Sequence, residues 1–227
     1  MEVRKRLFFT VVVMAAFGLA GAFFNEHIIK FFVGFLQLQG VNIVFTSPFQ
    51  FINLALGTGF VVGLTCAFPL LLVQVLTFLK PALKPKEYQM VKLMLPFSIL
   101  LFIFGFLFGA LMMRWQMAIF LAKSVSLGIG NVLDISSLLS VVLLTSALMG
   151  IAFQTPIILL VLMKIGAVKR TWLAKKRLWV YIGSFLFATA LPPDSLIADV
   201  LLSLPLVILF EVTLLLGRVM KTNNNSK

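Results

Sequence analysis

Long apolar runs separated by short polar or basic segments dominate the hydropathy pattern of this chain. A helix needs about 20 apolar residues to cross a bilayer core roughly 30 Å thick. Six runs come close enough to this length, or exceed it, to be candidates for membrane-spanning helices. The pattern therefore predicts an all-α polytopic membrane protein with six transmembrane helices, at residues 7–24, 51–79, 93–113, 138–163, 178–191 and 200–216.

The last two predicted helices are short and are separated by a proline-rich turn. At 1.5 Å per residue these two runs make about 21 and 25 Å of helix, which favours local thinning of the bilayer. Pro192 and Pro193 lack amide donors and end the fifth helix. Asp194 can cap the turn, and Asp199 lies near the start of the sixth helix, where a carboxylate is favourable. We therefore expect a tight hairpin on the outer side of the membrane.

Prolines and glycines inside the runs indicate how the helices bend and pack. Pro69 and Pro156 lie within predicted spans and are expected to kink them, and kinked helices favour a curved or concave bundle. Glycines four residues apart let helix backbones approach closely in lipid. We expect such pairs to make contacts inside the chain rather than a dimer face; they are Gly59 with Gly63 and Gly105 with Gly109.

The segments between the spans carry further signals. Residues 25–50 include HIIKFFVGFLQLQ, which is too interrupted to span and is predicted to form an amphipathic helix on the membrane surface; residues 114–137 could hold a similar segment. The sequence TSPF predicts the start of the second span, with Ser47 as the helix cap and Pro48 in the first turn. The polar residues 221–227 are expected to form a flexible cytoplasmic tail.

Composition and charge indicate the environment and the orientation of the chain. Hydrophobic residues make up 61% of the chain and charged residues 11%, a balance typical of a membrane protein. The net charge of +12 is better explained by membrane orientation than by nucleic-acid binding. With the N-terminus inside, the cytoplasmic segments hold 16 of the 19 lysines and arginines, and the outer segments hold Lys30, Arg114 and Lys123. Both termini are therefore predicted to be cytoplasmic.

The sequence also argues against several classes of function. We interpret residues 1–227 as a single integral membrane domain. The chain contains no Walker A, paired-glycine, HExxH or Cys/His motif, so no cofactor, metal site or catalytic centre is predicted. Its one cysteine, Cys66, lies in an apolar run and cannot form an intrachain disulfide. The protein is therefore not expected to be an enzyme.

Two polar residues lie inside the predicted spans. Gln154 and Glu211 are about 15 and 9 Å from the cytoplasmic ends of their helices at 1.5 Å per residue, so they could share one polar patch. For Gln154, helix–helix hydrogen bonding and a functional role are about equally favoured. For Glu211 a functional role is favoured, because a carboxylate in a membrane needs a partner or water.

The predicted cytoplasmic side carries just two acids, Glu2 and Glu87, among its basic residues. Pairing with the neighbouring Arg6 and Lys84 is one explanation, and it would suffice. The other explanation is a pair of docking points for a cationic ligand, since carboxylates bind guanidinium groups bidentately.

Several stretches together make the chain resemble the TatC family, the multi-spanning receptor subunit of the twin-arginine protein translocase. EVRKRL is similar to the family's acid-plus-basic N-terminal motif, and TSPFQFI to the start of its second span. PLLLVQVLTFLKPALKPKE is similar to its first cytoplasmic loop. GIAFQTPI and LPPDSLIADVLLSLPLVILFE resemble its fourth span and last hairpin, so the resemblance covers nearly the whole chain.

The resemblance implies a receptor that binds twin-arginine signal peptides on the cytoplasmic side. It would then assemble with small single-span subunits, of the TatA/TatB type, to export folded proteins. By matching position, the signal-peptide site would consist of Glu2, Arg4, Phe78 and Glu87. Gln154, at a position where family members often have glutamate, would join Glu211 in an intramembrane patch that contacts partners. The outer hairpin would comprise Pro192, Pro193 and Asp194.

The implied location is the plasma membrane of a prokaryote, with a thylakoid or other organelle membrane as the open alternative. The expected partners are signal peptides, the small subunits and the lipid bilayer, without nucleic acid, and a homo-oligomer is left open. A secondary solute transporter is the alternative function. Transporters usually show repeated halves and midplane ion ligands, and neither feature is evident in this sequence.

Overall fold

The computed structural model describes residues 2–36, 42–45, 47–79, 85–128, 132–192 and 196–222. Most of these residues are helical, as the sequence predicts, and two strands of three residues each are present that it does not predict. The helices are α1 (Glu2–Phe23), α2 (Asn25–Phe35), α3 (Pro48–Leu79), α4 (Pro85–Ser126), α5 (Ile135–Ala152), α6 (Thr155–Lys164), α7 (Arg170–Lys175), α8 (Arg177–Thr189) and α9 (Leu196–Thr222). The strands are β1 (Asn42–Val44) and β2 (Val132–Asp134).

Four helical segments within the described ranges are long and apolar enough to cross a membrane: Pro48–Gln74, Lys92–Ser126, Ile135–Lys164 and Leu196–Arg218. A fifth is present if Phe8–Phe23 and Asn25–Phe35, which meet at a bend of 70°, form one span. Helix α8 has 13 residues, less than the length of an ordinary span. Six spans with both termini inside therefore stay a prediction.

Two helices are longer than the predicted spans, because the helix continues through polar residues at its end. The prediction of a short last helix is wrong, because α9 has 27 residues, which is about 40 Å at 1.5 Å per residue. Helix α4 continues to Ser126, so part of the predicted outer segment 114–137 belongs to the same helix as the predicted third span. Of the predicted tail, Lys221 and Thr222 belong to α9, and residues 223–227 lie outside the described residues.

The chain divides into two compact units. The first comprises Met1–Val75 and Phe106–Leu148, and the second comprises Leu76–Gly105 and Met149–Lys227. In the first unit, the buried side chains Leu139, Val142 and Ala147 of α5 form one hydrophobic core with Leu54 and Val61 of α3. Most residues of α5 are buried, as expected of a helix that is apolar on most of its surface.

Helix α2 adds to this core through one face only. Phe32 and the following Leu36 are buried in the core, whereas Phe31 and Lys30 are exposed. The Arg114 guanidinium carbon lies 5.4 Å from the centroid of the Phe35 ring, a cation–π distance. The predicted helix in segment 25–50 is confirmed, and its position on the membrane surface stays a prediction.

Hydrogen bonds around Gln50 connect the segments that precede α3 and α5 in the first unit. Ser47 precedes α3, as predicted, and its amide donates to Gln50 Oε1 at 3.3 Å, which is half of a capping box. Gln50 Nε2 donates to Asp134 Oδ2 at 2.7 Å, and Ser136 Oγ donates to the Gln50 carbonyl at 3.0 Å. Since Asp134 ends β2, which pairs in parallel with β1, these bonds lock the short sheet to the start of α3.

Glycines at the crossing of α1 and α3 confirm the prediction that the Gly59 and Gly63 pair makes contacts inside the chain. A Cβ atom at Gly59 would lie 2.5 Å from the Gly18 carbonyl oxygen, and one at Gly63 would lie 2.5 Å from the Met14 carbonyl oxygen. Both obstacles are backbone atoms, which cannot move without displacing α1. The close crossing therefore depends on the absence of a side chain at both positions.

We expect Gly63→Ala to lower the thermal stability of the protein and Gly57→Ala, on the same helix, to leave it unchanged or raise it. Strain at a packed site typically costs about 1–3 kcal/mol, which exceeds the roughly 1 kcal/mol by which alanine favours a helix over glycine. At Gly57 the nearest obstacle to a Cβ atom is Ser140 Oγ at 4.0 Å. The measurement is the midpoint of thermal unfolding of both purified variants in detergent. Equal midpoints would contradict the proposed crossing.

Candidate functional site

The break between α5 and α6 positions Gln154 in the second unit. Pro156 lacks the amide hydrogen that would bond to the Ala152 carbonyl in a continuous helix. The Thr155 hydroxyl donates to that carbonyl at 2.7 Å instead, and Phe153 and Gln154 form a turn. The sequence predicts a kink at Pro156, and the helix is interrupted just before this residue, whereas α3 continues as a helix through Pro69.

The Gln154 side chain is 3% exposed and is hydrogen-bonded within the second unit. Its Oε1 accepts from the Ser98 hydroxyl. Its Nε2 donates to the Ser98 carbonyl at 3.1 Å and to the Gly150 carbonyl at 3.5 Å. These bonds join α4 to the break between α5 and α6, which is the helix–helix role that the sequence left open for this residue.

Glu211, on α9, accepts two contacts from α8. The Tyr181 hydroxyl donates to Glu211 Oε1 at 2.5 Å, and Arg177 Nη2 lies 3.1 Å from Glu211 Oε2. Residues 177 and 181 are four apart, so they lie on one face of α8. The Glu211 and Arg177 side chains keep 31% and 48% of their surface exposed, so the pair is partly solvated or lipid-facing rather than enclosed.

Apolar packing fixes the helices around this cluster. Phe210 and Leu214 of α9 are buried against Leu173 of α7, and the Tyr181 ring meets the Phe210 ring edge to face at a centroid distance of 6.3 Å. Arg170 Nε donates to the Leu214 carbonyl at 2.9 Å. Glu211 therefore projects from a part of α9 that α7 and α8 hold in place.

Gln154 and Glu211 have separate partners. Among the described residues, no hydrogen bond or ion pair joins the two side chains, and their partners lie on different helices. The shared polar patch therefore stays a prediction. The partners Ser98, Tyr181 and Arg177 were not identified from the sequence; the four-residue spacing of Arg177 and Tyr181 in an apolar run was the one available signal.

The predicted outer hairpin lies only partly within the described residues. Helix α8 ends at Thr189, before the two prolines, and Pro192 is half-buried. Pro193 and Asp194 lie outside the described residues. Asp199 is in the first turn of α9, as predicted, and is 5% exposed. Its Oδ1 atom has no hydrogen-bond partner among the described residues, a burial that the sequence did not indicate.

The four residues of the predicted signal-peptide site lie on helices, and their side chains lie outside the described part of the structure. Glu2 and Arg4 belong to the first turns of α1, Phe78 to the last turn of α3 and Glu87 to the first turn of α4. Phe78 and Glu87 therefore flank the connection between two long helices. Within the described ranges, no three His, Cys, Asp or Glu side chains are close enough to hold a metal ion together.

Comparisons with known proteins identify related chains. The model of the family described as Sec-independent protein translocase protein (TatC) matches residues 1–205. The chain is 31% identical to the protein TatC of Escherichia coli (strain K12), covering 96% of this chain and 85% of that protein. It is 29% identical to the protein TatCy of Bacillus subtilis (strain 168), covering 96% and 86%.

A solved structure extends this similarity to the fold. The crystal structure of the twin-arginine translocase receptor TatC in DDM superposes with a TM-score of 0.84 at 27% sequence identity. The match covers 95% of this chain and 97% of that chain. Since both chains are covered almost completely, the likeness extends over nearly the whole chain.

Proposed function

Because the chain belongs to the TatC family of Sec-independent protein translocase proteins, we propose that it is the core receptor subunit of a twin-arginine translocase. Membership makes it a multi-pass membrane component of a protein translocase rather than an enzyme. The receptor role is more specific than what family membership shows. The observation that carries it is the match over nearly the whole chain to a structure described as the translocase receptor.

The proposed receptor binds the twin-arginine signal peptides of folded cargo proteins through Glu2, Arg4, Phe78 and Glu87. All four residues fall inside the range that the family model matches. The two carboxylates would accept charge-assisted, bidentate hydrogen bonds from guanidinium groups. The surrounding lysines would disfavour ordinary cations, and the Phe78 ring would form a wall of the site.

Peptide binding by the purified protein tests this function. We expect a signal peptide with Arg-Arg to bind more tightly than the same peptide with Lys-Lys at fixed salt, because lysine cannot bind a carboxylate through a planar fork. Equal affinities would contradict the receptor role. Solute uptake into vesicles would instead support the secondary transporter, which the comparisons do not favour.

The proposed receptor has six spans with both termini in the cytoplasm of a prokaryote, and α8 is its short fifth span. The bias of lysine and arginine supports this orientation. Glu211 and Gln154 would contact small single-span subunits within the membrane, and the Pro192–Pro193–Asp194 hairpin would lie on the outer side. Because α8 is short, the bilayer would thin locally near this hairpin.

Thiol labelling tests the orientation. A cysteine replacing Gly128 is expected to react with an impermeant reagent from outside intact cells, and a cysteine replacing Asn224 is expected to react only after lysis. Gly128 is exposed, and a Cβ atom added there would have no neighbouring atom within 4 Å, so packing should not block labelling. Cys66→Ser provides the background without other thiols. The reverse labelling pattern would overturn the orientation and the cytoplasmic peptide site with it.

A further inference from the structure

A surface of basic and aromatic side chains lies where α7 meets α8. We define this basic–aromatic surface by Trp172, Lys175, Lys176, Arg177 and Trp179. The two tryptophan side chains are 55% and 68% exposed, and the three basic residues between them are also exposed. Large exposed aromatic side chains beside cations are typical of the boundary between the apolar core of a membrane and its headgroups.

Buried neighbours explain why this surface faces outward. Leu173 is buried against Phe210 and Leu214 of α9, so one side of α7 is fixed to the second unit. Helical geometry then directs Trp172 and Lys175 to sides of α7 other than the one that carries Leu173. The surface is therefore presented by a packed scaffold rather than by a loose loop.

The basic–aromatic surface carries positive charge that the described residues do not neutralise. Arg177 is paired with Glu211 at 3.1 Å. Lys175 and Lys176 form no ion pair among the described residues, and the Lys176 ammonium lies 5.9 Å from the centroid of the Trp179 ring. The ammonium groups of these two consecutive residues therefore remain available to an anion.

An exposed apolar row continues from the basic residues along α8. Leu178, Ile182 and Leu186 are exposed and four residues apart, so they follow one side of the helix. The row is about 12 Å long at 1.5 Å per residue. The row begins beside Arg177 and runs along α8 away from the three basic residues. A phospholipid has the same order, with a charged headgroup followed by an apolar acyl chain.

From this order we propose that the basic–aromatic surface binds an anionic phospholipid. The phosphate would lie between Lys175 and Lys176, the headgroup against Trp172 and Trp179, and an acyl chain along the exposed row of α8. Basic residues at the membrane surface attract anionic lipids, and lysine stems can extend along apolar surface while their ammonium groups reach the phosphate. A free anion would use the lysines and leave the aromatic and aliphatic row without a role.

Quenching of tryptophan fluorescence by brominated lipid tests the proposal on the full chain. The chain has three tryptophans, and Trp115→Phe leaves only the two of the surface. This variant is placed in phosphatidylcholine nanodiscs, in which a small fraction of the lipid carries bromine on one acyl chain. The brominated lipid is either phosphatidylglycerol or phosphatidylcholine, and the ratio of the two quenching efficiencies measures the local preference for the anionic headgroup.

We expect brominated phosphatidylglycerol to quench more strongly than brominated phosphatidylcholine, and Lys175→Gln with Lys176→Gln to remove most of the difference. Each lysine near an anionic surface accounts for about a fivefold change in binding, so the preference should fall by about five- to thirtyfold. The double substitution Lys92→Gln with Lys123→Gln removes the same charge from exposed positions outside the surface and should preserve the preference.

Three outcomes would overturn the proposal. The parent could show no preference between the two lipids, or the Lys175 and Lys176 variant could keep the parental preference. Soluble glycerol phosphate in excess could also abolish the difference, in which case the lysines form a site for free anions rather than for a lipid. Because the readout involves no signal peptide, failure of this proposal is separate from failure of the receptor role.

Discussion

Glu87→Gln is expected to weaken binding of a twin-arginine signal peptide by about ten- to a hundredfold. A hydrogen bond to a charged group contributes about 1.5–3 kcal/mol, and about 1.4 kcal/mol corresponds to a tenfold change in affinity. The substitution keeps the shape of the side chain and removes its charge. It also retains the position in the first turn of α4, so the loss should reflect the contact with arginine. The measurement is peptide affinity at fixed salt, with Arg-Arg and Lys-Lys versions.

Neighbouring substitutions separate this contact from a general electrostatic effect. Lys86→Gln changes the local charge by the same amount with the opposite sign and should have little effect, because lysine cannot accept a hydrogen bond from arginine. Phe78→Ala should weaken binding if the ring forms a wall of the site. Should Glu87→Gln bind both peptides as the parent does, Glu87 is a partner for nearby lysines and the docking model loses its central residue.

Much of the helical architecture follows from local signals. Apolar length located the four helical segments that are long enough to span a membrane. The break before α6 lies next to Pro156, and Ser47 with Pro48 predicted the start of α3. Hydropathy failed at the ends of α4 and α9, because helical hydrogen bonding continues through polar residues that a membrane-based pattern excludes. The pairing of β1 with β2 joins residues about ninety positions apart. Strands of three residues have no periodicity from which such pairing could be read.

The polar residues of the membrane interior were easier to find than their partners. Gln154 and Glu211 stand out because polar side chains are rare in apolar runs. Their partners depend on how helices pack: Ser98 of α4 bonds to Gln154, and Arg177, counted in the sequence as a charge that sets orientation, is the ion-pair partner of Glu211. A sequence pattern fixes the face of a helix, whereas the neighbour of that face is set by tertiary contacts.

Glu211→Ala is expected to reduce export of a twin-arginine substrate about tenfold, equivalent to about 1.4 kcal/mol of lost assembly, with little change in signal-peptide affinity. Gln154→Ala should reduce export less. Both amide donor contacts of Gln154 are made within the second unit, whereas the Glu211 side chain keeps 31% of its surface exposed and can still reach a partner helix. Crosslinking from position 211 to a small single-span subunit measures the assembly directly.

Loss of the contacts with α8 is the competing explanation for such an effect, and two variants separate it. Tyr181→Phe removes the hydroxyl donor and keeps the ring against Phe210, and Arg177→Gln removes the ion pair. Hydrogen bonds between membrane helices contribute about 0.6–1.7 kcal/mol, and a half-exposed ion pair contributes about 1 kcal/mol or less.

If Glu211 only joins α8 to α9, the combined Tyr181 and Arg177 variant should match Glu211→Ala in export and in thermal stability. If the carboxylate contacts a partner, the combined variant should lose the same stability and retain export and the crosslink, because the carboxylate is still present. Parental export by Glu211→Ala would make the cluster a structural contact between α8 and α9 alone.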